Sequence, residues 1–436
     1  MKRDAFKHLQ SWKKDKKRKP LILMGARQVG KTTLLKQFAA SEYDHCVYLN
    51  FEETPSLHAL FSGNLTPASL LKALSIEMNV DITPGNTLLI WDEIQECPSA
   101  LNSLKYFCEL ASEYPICAAG SLLGVKLAHI KGFPVGKVDF LDLYPLSFLE
   151  FLEAIGETKL RKYIEEIDKI EPLLGNLHEK LLGYFKIYLF IGGMPEAVTE
   201  YIDSEDFHKV RNIQDNILKA YSLDFVKHAA KDKVFQVNLV WNAIASQLAK
   251  ENKKFIYSLV RKGGRAKEFE VAVQWLLEAG LIHKVYNVTT PKLPLDAYAK
   301  FDFFKIYLVD VGLLGAMTHL SAQTIIHGDT LFQEFRGSFV ENYIAQELAR
   351  HHDGLYYWTS EGKAELDFIF DHNGNIFPLE IKSGYSNRKK SLQVYNEKYK
   401  PRLLIRSSPM NLKQDGNILN CPLYLMGELQ RLLELV

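Results

Sequence analysis

Short apolar runs alternating with amphipathic stretches organise the first third of the chain. Leu21-Ile-Leu-Met24 reads as a buried strand, and Thr32 to Ala40 reads as a helix with Leu34, Leu35 and Phe38 at helical spacing. Strand-like runs return at Cys46–Phe51, Thr87–Trp91, Ile116–Ala119 and Lys137–Leu143, at intervals that suit an α/β sheet. From about Leu149 to Lys227 charged residues interleave with Leu, Ile and Tyr, a helix-rich pattern broken at Ile191-Gly-Gly-Met-Pro195-Glu196. Residues Gln236 to Val288 read as three short helices and a hairpin, the helices over Trp241–Lys250, after Phe255-Ile-Tyr-Ser258, and over Lys267–Ala279. An alternating strand-like segment, Leu281–Asn287, follows. Further on, Gly337–Leu348 is amphipathic, Glu365–Phe370 alternates, Asp371–Asn375 supplies a turn, and Ile376–Gly384 returns as a strand. The pattern predicts an α/β protein in four parts. These are a parallel-sheet domain (1–150), a helical lid (151–230), a winged-helix-like module (231–300) and a C-terminal α/β domain (301–436).

Composition narrows the class only slightly. A chain of 436 residues with 47% hydrophobic and 24% charged content fits an ordinary globular protein of several domains. The net charge of +1 excludes a global basic field, so any nucleic-acid contact has to be a local patch. Cys46, Cys97, Cys108, Cys117 and Cys421 form no C-x-x-C pair, which argues against a zinc site and for a reducing compartment. The basic stretch Lys13–Lys19 is followed by no apolar segment of leader or membrane-span length, so a cytoplasmic protein without a membrane partner is expected.

The chemistry concentrates first at Gly25-Ala-Arg-Gln-Val-Gly30-Lys31-Thr32, which lies between the first strand and the first helix of the sheet. A glycine loop feeding a helix N-terminus aims backbone N–H groups at an anion. Lys31 then reaches the β- and γ-phosphates of ATP, the Thr32 hydroxyl ligates Mg²⁺, and Gly25, Gly30 and Thr33 complete the nucleotide contacts. The strand ending Ile90-Trp91-Asp92-Glu93 delivers two carboxylates to the edge where open parallel sheets bind ligands. Asp92 is the candidate metal ligand and Glu93 the candidate base that orients water. Ser121, at the end of the next strand, is a candidate γ-phosphate sensor. Arg27 lies inside the loop with no role legible from the sequence. Lys137 and Arg211 qualify as arginine-finger-like cations only by lying near predicted domain edges.

Leu21–Thr33, Leu88–Glu96, Gly120–Leu123, Phe133–Val138 and Tyr144-Pro-Leu-Ser-Phe148 together resemble a family of bacterial and archaeal AAA-type ATPases of the STAND-like clade, over almost the whole chain. The resemblance implies a P-loop ATPase core with Mg²⁺-ATP as ligand and a C-terminal domain of uncharacterised role. It also implies that Gly193 and Pro195 form the turn whose proline meets adenine. The segment 236–288 looks like a winged helix, with Lys262, Arg265 and Lys267 at the start of its third helix. Glu268, Glu270 and Glu278 dilute that basic face.

In the C-terminal part Glu341 lies on a predicted helix, Asp367 on a strand, and Glu380 with Lys382 on the returning strand, where residues two apart share a face. This order resembles the PD-(D/E)-x-K nuclease superfamily, without the proline before Asp367. The resemblance implies that Glu341, Asp367 and Glu380 bind Mg²⁺, with Mn²⁺ as an alternative, while Lys382 orients the attacking water. Asn387-Arg-Lys-Lys390 suits a nucleic-acid backbone. Two functions are therefore expected to compete. One is an ATPase coupled to a nuclease-fold domain acting on nucleic acid, with DNA as candidate partner. The other is an ATP-gated switch whose nuclease-like domain is a binding scaffold. An oligomer is compatible with either.

Overall fold

The computed structural model describes residues 1–121, 123–127, 133–250, 253–328, 333–360, 362, 364–384 and 390–436. The expected basic stretch over 387–389 lies outside them, as does Leu122. The chain divides into two compact units. One holds Lys2–Tyr144 with Glu278–Gly280, and the other holds Met1, Pro145–Leu277 and Leu281–Val436.

The first unit is built on five strands: β1 (Leu21–Met24), β2 (His45–Asn50), β3 (Thr87–Asp92), β4 (Ile116–Ala119) and β5 (Asp139–Asp142). All pair in parallel, in the order β2-β3-β4-β1-β5. β3 is buried along its whole length, which explains its unbroken apolar run rather than an alternating one. One of its faces sets Trp91 edge-on against Phe61 and Phe107, with ring centroids at 5.3 and 5.7 Å. Sheet order places β1 between β4 and β5, out of chain order, while all five strands keep one direction. The loop after β1 therefore opens beside the ends of β3 and β4.

The second unit opens with helices Phe148–Ala154, Thr158–Glu165, Gly175–Ile191, Pro195–Ser204 and Phe207–His228, as the helix-rich text predicts. Ser147 and Glu150 close a reciprocal capping box on the first of these, and Asp206 caps the last. Its sheet has eight strands: β6 (Ile282–Val288), β7 (Ala299–Leu308), β8 (Leu355–Ser360), β9 (Ala364–His372), β10 (Asn375–Ile381), β11 (Leu404–Ser408), β12 (Lys413–Asp415) and β13 (Ile418–Pro422). The order is β12-β13-β11-β10-β9-β8-β6-β7, with parallel and antiparallel pairs mixed. β9 and β10 form the expected hairpin around Asn373-Gly374, both at positive φ as a two-residue loop requires.

Helices Val234–Leu248, Tyr257–Val260 and Ala266–Glu278 occupy the segment read as a winged helix. Its strand does not form a separate wing, however. β6 pairs with β7 on one side and with β8 on the other, so it is part of the eight-stranded sheet. The boundary expected at 300 consequently falls inside β7. No helix among the described residues is long and apolar enough to cross a membrane.

Candidate functional site

The loop Gly25–Gly30 turns from β1 into the helix Lys31–Glu42 on two glycines at positive φ, 135° at Gly25 and 95° at Gly30. A Cβ on Gly25 would lie 2.1 Å from the carbonyl oxygen of Leu143, so only glycine lets the backbone pass there. Arg3 holds the loop from outside by donating to the Val29 carbonyl at 2.8 Å, a tether that no spacing in the sequence announces. Lys31 is buried, and its ammonium donates to the carbonyls of Gly25 (2.9 Å) and Ala26 (2.8 Å). Burial lowers its pKa to about 8, against the opposing pull of the Glu93 and Asp92 charges. Thr33 is exposed on the same helix.

The ends of β3 and β4 meet this loop. The Thr32 hydroxyl donates to Asp92 Oδ2 at 2.6 Å, and the Tyr48 hydroxyl donates to the same oxygen at 2.9 Å. The Glu93 amide donates to Asp92 Oδ1 at 3.0 Å. The hydroxyl of Thr32 and the carboxylate of Asp92 form the hard-oxygen set that suits Mg²⁺, so the residues fit the implied metal. Glu93, at φ 49°, is the turning point out of β3. Its Oε2 accepts from the Gln95 amide at 2.5 Å and from the Ser121 hydroxyl at 3.2 Å. Lys31, Thr32, Asp92, Glu93 and Ser121 thus stand in one hydrogen-bonded and electrostatic neighbourhood. Sequence reasoning missed Tyr48 and Gln95. Tyr48 lies on β2, two strands along the sheet from β4, and Gln95 sits in a short 3-10 turn with no motif of its own.

Arg27 forms an ion pair with Glu52 at 3.3 Å, which ties the loop to the segment after β2. Lys137 pairs with Glu109 at 2.9 Å on the surface, so the finger reading of that lysine gains no support. Arg211 lies in the second unit, where the carbonyls of Gly312 and Leu320 and the amide oxygen of Gln214 accept from it.

Pro195 also lies in the second unit, as the first residue of its helix. The glycines before it are used by the fold itself. The Gly193 amide donates to Asp310 Oδ2 at 2.6 Å, and the Gly193 carbonyl accepts from the Leu146 amide at 2.6 Å. A Cβ on Gly192 would meet Asp310 Oδ1 at 2.2 Å.

In the eight-stranded sheet the expected metal constellation is only partly assembled. Lys382 pairs with Glu380 at 2.8 Å, as the shared strand face predicts. Glu380 Oε2 is buried without a hydrogen-bond partner. Glu341 and Asp367 are electrostatic neighbours. Burial raises the Asp367 pKa to about 7, with the Glu341 charge adding to it, while the Ile381 amide donates to Asp367 at 2.7 Å. Burial opposes ionisation of Glu341, yet Lys253 and Lys305 together hold its pKa below the usual value. Lys253 forms an ion pair with Glu341, and the Tyr307 hydroxyl donates to Glu341 Oε2 at 2.8 Å. Lys305 pairs with Glu365 at 2.7 Å.

The expectation that Glu341, Asp367 and Glu380 form a metal shell gains no support from this arrangement. Among the described residues no group of three Asp, Glu, His or Cys side chains is arranged to hold a metal ion. The reason is local: the half-buried Lys253 and the buried Tyr307 already bond the helix carboxylate, the charge of the buried Lys305 acts on it, and Glu380 is turned to Lys382.

Residues 17–152 match the family model described as an AAA domain. Residues 183–324 and 336–425 each match a domain of unknown function, DUF8612 and DUF4143. An uncharacterized protein of Methanocaldococcus jannaschii is 23% identical over 432 residues, spanning 93% of this chain and 84% of that protein. Among solved structures, a Walker-type ATPase of Pyrococcus abyssi is similar at 15% identity and a TM-score of 0.45, over 72% of this chain and 95% of that one. The Orc1 protein of Aeropyrum pernix, solved in complex with DNA, is similar at 13% identity and a TM-score of 0.29, over 72% and 90%. The loop, the acidic strand end and the matched AAA model identify the N-terminal region as a P-loop domain of the ATPase type, joined to a separate domain built on a mixed sheet.

Proposed function

We propose that the protein is a magnesium-dependent ATPase that acts as a nucleotide-gated switch, with its second unit as the responding body. The observation that supports this reading best is the convergence of Lys31, Thr32, Asp92, Glu93 and Ser121 at one sheet edge beside a glycine loop. In this reading the amides of residues 25–31 and the Lys31 ammonium hold the phosphates, with Thr33 beside them. Thr32 and Asp92 hold Mg²⁺, which when bound supplies Lewis-acid neutralisation of phosphate charge. Glu93 orients the attacking water and takes its proton, and Ser121 reports the γ-phosphate. Lys31→Ala in a fluorescent-nucleotide titration tests the reading: affinity should be lost, and undiminished binding would refute the loop assignment.

A second reading is cleavage of nucleic acid by the C-terminal domain. The orphaned Glu380 Oε2 beside Lys382 is the observation in its favour, and the internal neutralisation of Glu341 weighs against it. Supercoiled plasmid incubated with Mg²⁺ or Mn²⁺, with and without ATP, decides between them. Nicking by the wild type that vanishes in Lys382→Ala establishes the nuclease. Intact plasmid with both proteins leaves the switch.

A further inference from the structure

Arg211 lies on the helix Phe207–His228 with its guanidinium against the ring of Phe190, 4.3 Å from the centroid. It donates to Gln214 Oε1 (2.7 Å), to the Gly312 carbonyl (3.3 Å) and to the Leu320 carbonyl (2.9 Å). Gln214 is itself locked, because its amide donates to the carbonyls of Phe190 and Ile191. All three acceptors are neutral. Among the described residues no carboxylate stands within ion-pair distance of Arg211, and Asp215, one helical turn along, acts on it only at longer range. Burial lowers the Arg211 pKa to about 10, a mark of how little of its charge is offset.

An arginine carries five N–H donors. The recorded bonds use both on Nη1 and one on Nη2, which leaves Nε–H and one Nη2–H. Those nitrogens define the two-pronged edge that grips a carboxylate or phosphate side-on. Arg211 lines a cavity of about 370 Å³, within the size range of small-molecule sites. Phe207, edge-on to Phe190 at 5.2 Å, and Leu320 form an apolar wall, while His208, His319 and Ser321 add polar groups and the Asp215 carboxylate also lines the cavity.

We propose that this cavity is a binding site for a small organic anion, whose carboxylate or phosphate takes the free edge of Arg211 and whose apolar body lies along Phe207 and Leu320. A bound anion offsets the half-buried guanidinium, and the neutral carbonyls already fix the fork in place. Arg211 is then a ligand-binding residue and not a finger for the nucleotide.

Calorimetric titration of the full chain with benzoate and with phenyl phosphate tests the proposal. It is run in a Lys31→Ala background so that the phosphate loop does not contribute. One saturable site per chain is expected for at least one of the two anions, and which of them binds tells carboxylate from phosphate. Neutral benzamide should not bind. Arg211→Lys keeps the charge without the fork and should weaken binding about tenfold or more. Should Arg211→Lys fail to fold, Phe207→Ala replaces it and should weaken binding through the wall alone. Benzamide binding as well as benzoate, a substituted protein that binds unchanged, or no saturation with either anion would overturn the site.

Discussion

The side-chain amide of Gln95 and the carboxylate of Glu93 stand 2.5 Å apart, and the oxygen that Gln95 holds also accepts from Ser121. Two donors on one oxygen fix the proposed base in orientation before any substrate enters. The clamp is itself constrained. Gln95 is buried, its Oε1 has no partner, and a Cβ on Gly120 would lie 2.3 Å from that oxygen. Gly120→Ala should therefore displace Gln95, and Gln95→Ala removes it outright. Both substitutions are expected to raise basal turnover with KM unchanged, measured as phosphate release. Glu93→Gln should lower turnover by about 10² or more while nucleotide binding persists. Turnover in Glu93→Gln near the wild-type rate would remove Glu93 as the base. Loss of activity in Gln95→Ala would make the amide a support and not a restraint.

Lys31 should give nucleotide binding a distinct pH dependence. Its ammonium is present at pH 7, and the free protein loses it as pH rises through about 8. A triphosphate that needs the charged form must then bring a proton with it. Affinity is expected to be flat below pH 7.5 and to fall by up to about tenfold per pH unit above 8.5. A fluorescent-nucleotide titration across that range checks this. Lys31→Met should bind weakly with no slope, and a wild-type profile flat to pH 9.5 would contradict the assignment.

Tyr48 shares Asp92 Oδ2 with Thr32, so it shapes the carboxylate proposed to hold the metal. Tyr48→Phe deletes one donor and keeps the ring over which Lys36 sits at 3.9 Å. The expected effect is about 1 kcal/mol on the orientation of Asp92. It should be read as a several-fold rise in the magnesium concentration for half-maximal turnover, with kcat at saturating metal nearly unchanged. An unaltered magnesium profile would assign Tyr48 to packing alone.

Gly193 is held by the Leu146 backbone on one side and the Asp310 carboxylate on the other, and the stability of the second unit should report it. An added Cβ would lie 2.1 Å from the Leu146 carbonyl oxygen and 2.6 Å from the Leu146 nitrogen, backbone atoms and not a flexible side chain that could yield. Gly193→Ala is expected to cost about 2–4 kcal/mol, from overpacking and from the lost Asp310 contact. Thermal unfolding without nucleotide measures it. A melting temperature equal to wild type, with altered nucleotide affinity, would instead favour a role at adenine.

The parts of this protein legible in its sequence are those whose partners are near in the chain or fixed by a local period. The phosphate loop declares itself because strand, glycines and helix are contiguous. Glu380 and Lys382 are a strand-face pair, and Asn373-Gly374 marks its own hairpin. Strand β6 was legible as a strand but not as a member of the larger sheet, because its parallel partner β8 lies beyond β7 and a helical segment. Arg3, Glu52 and Tyr48 reach the loop through sheet order alone. Lys253 and Lys305 reach Glu341 and Glu365 from distant segments, and no spacing of carboxylates could reveal that the cations were already supplied.

Those lysines lead to an expectation that separates a structural ion network from a metal shell. Glu341 receives Lys253 and Tyr307 in a buried setting, with Lys305 close enough to act on its charge. Removing one member of such a network strands the others, at a cost of about 3–5 kcal/mol. Glu341→Ala should therefore lower the melting temperature of the second unit by several degrees. Millimolar Mg²⁺ or Mn²⁺ should leave the wild type unmoved, because a divalent ion would have to displace an ammonium that the fold has already desolvated. A carboxylate shell built for metal predicts the reverse: metal stabilises the wild type, and Glu341→Ala abolishes that gain. Differential scanning fluorimetry of both proteins, with and without metal and in a Lys31→Ala background, discriminates the two. A metal-dependent rise confined to the protein with Glu341 intact would restore the three carboxylates as ligands.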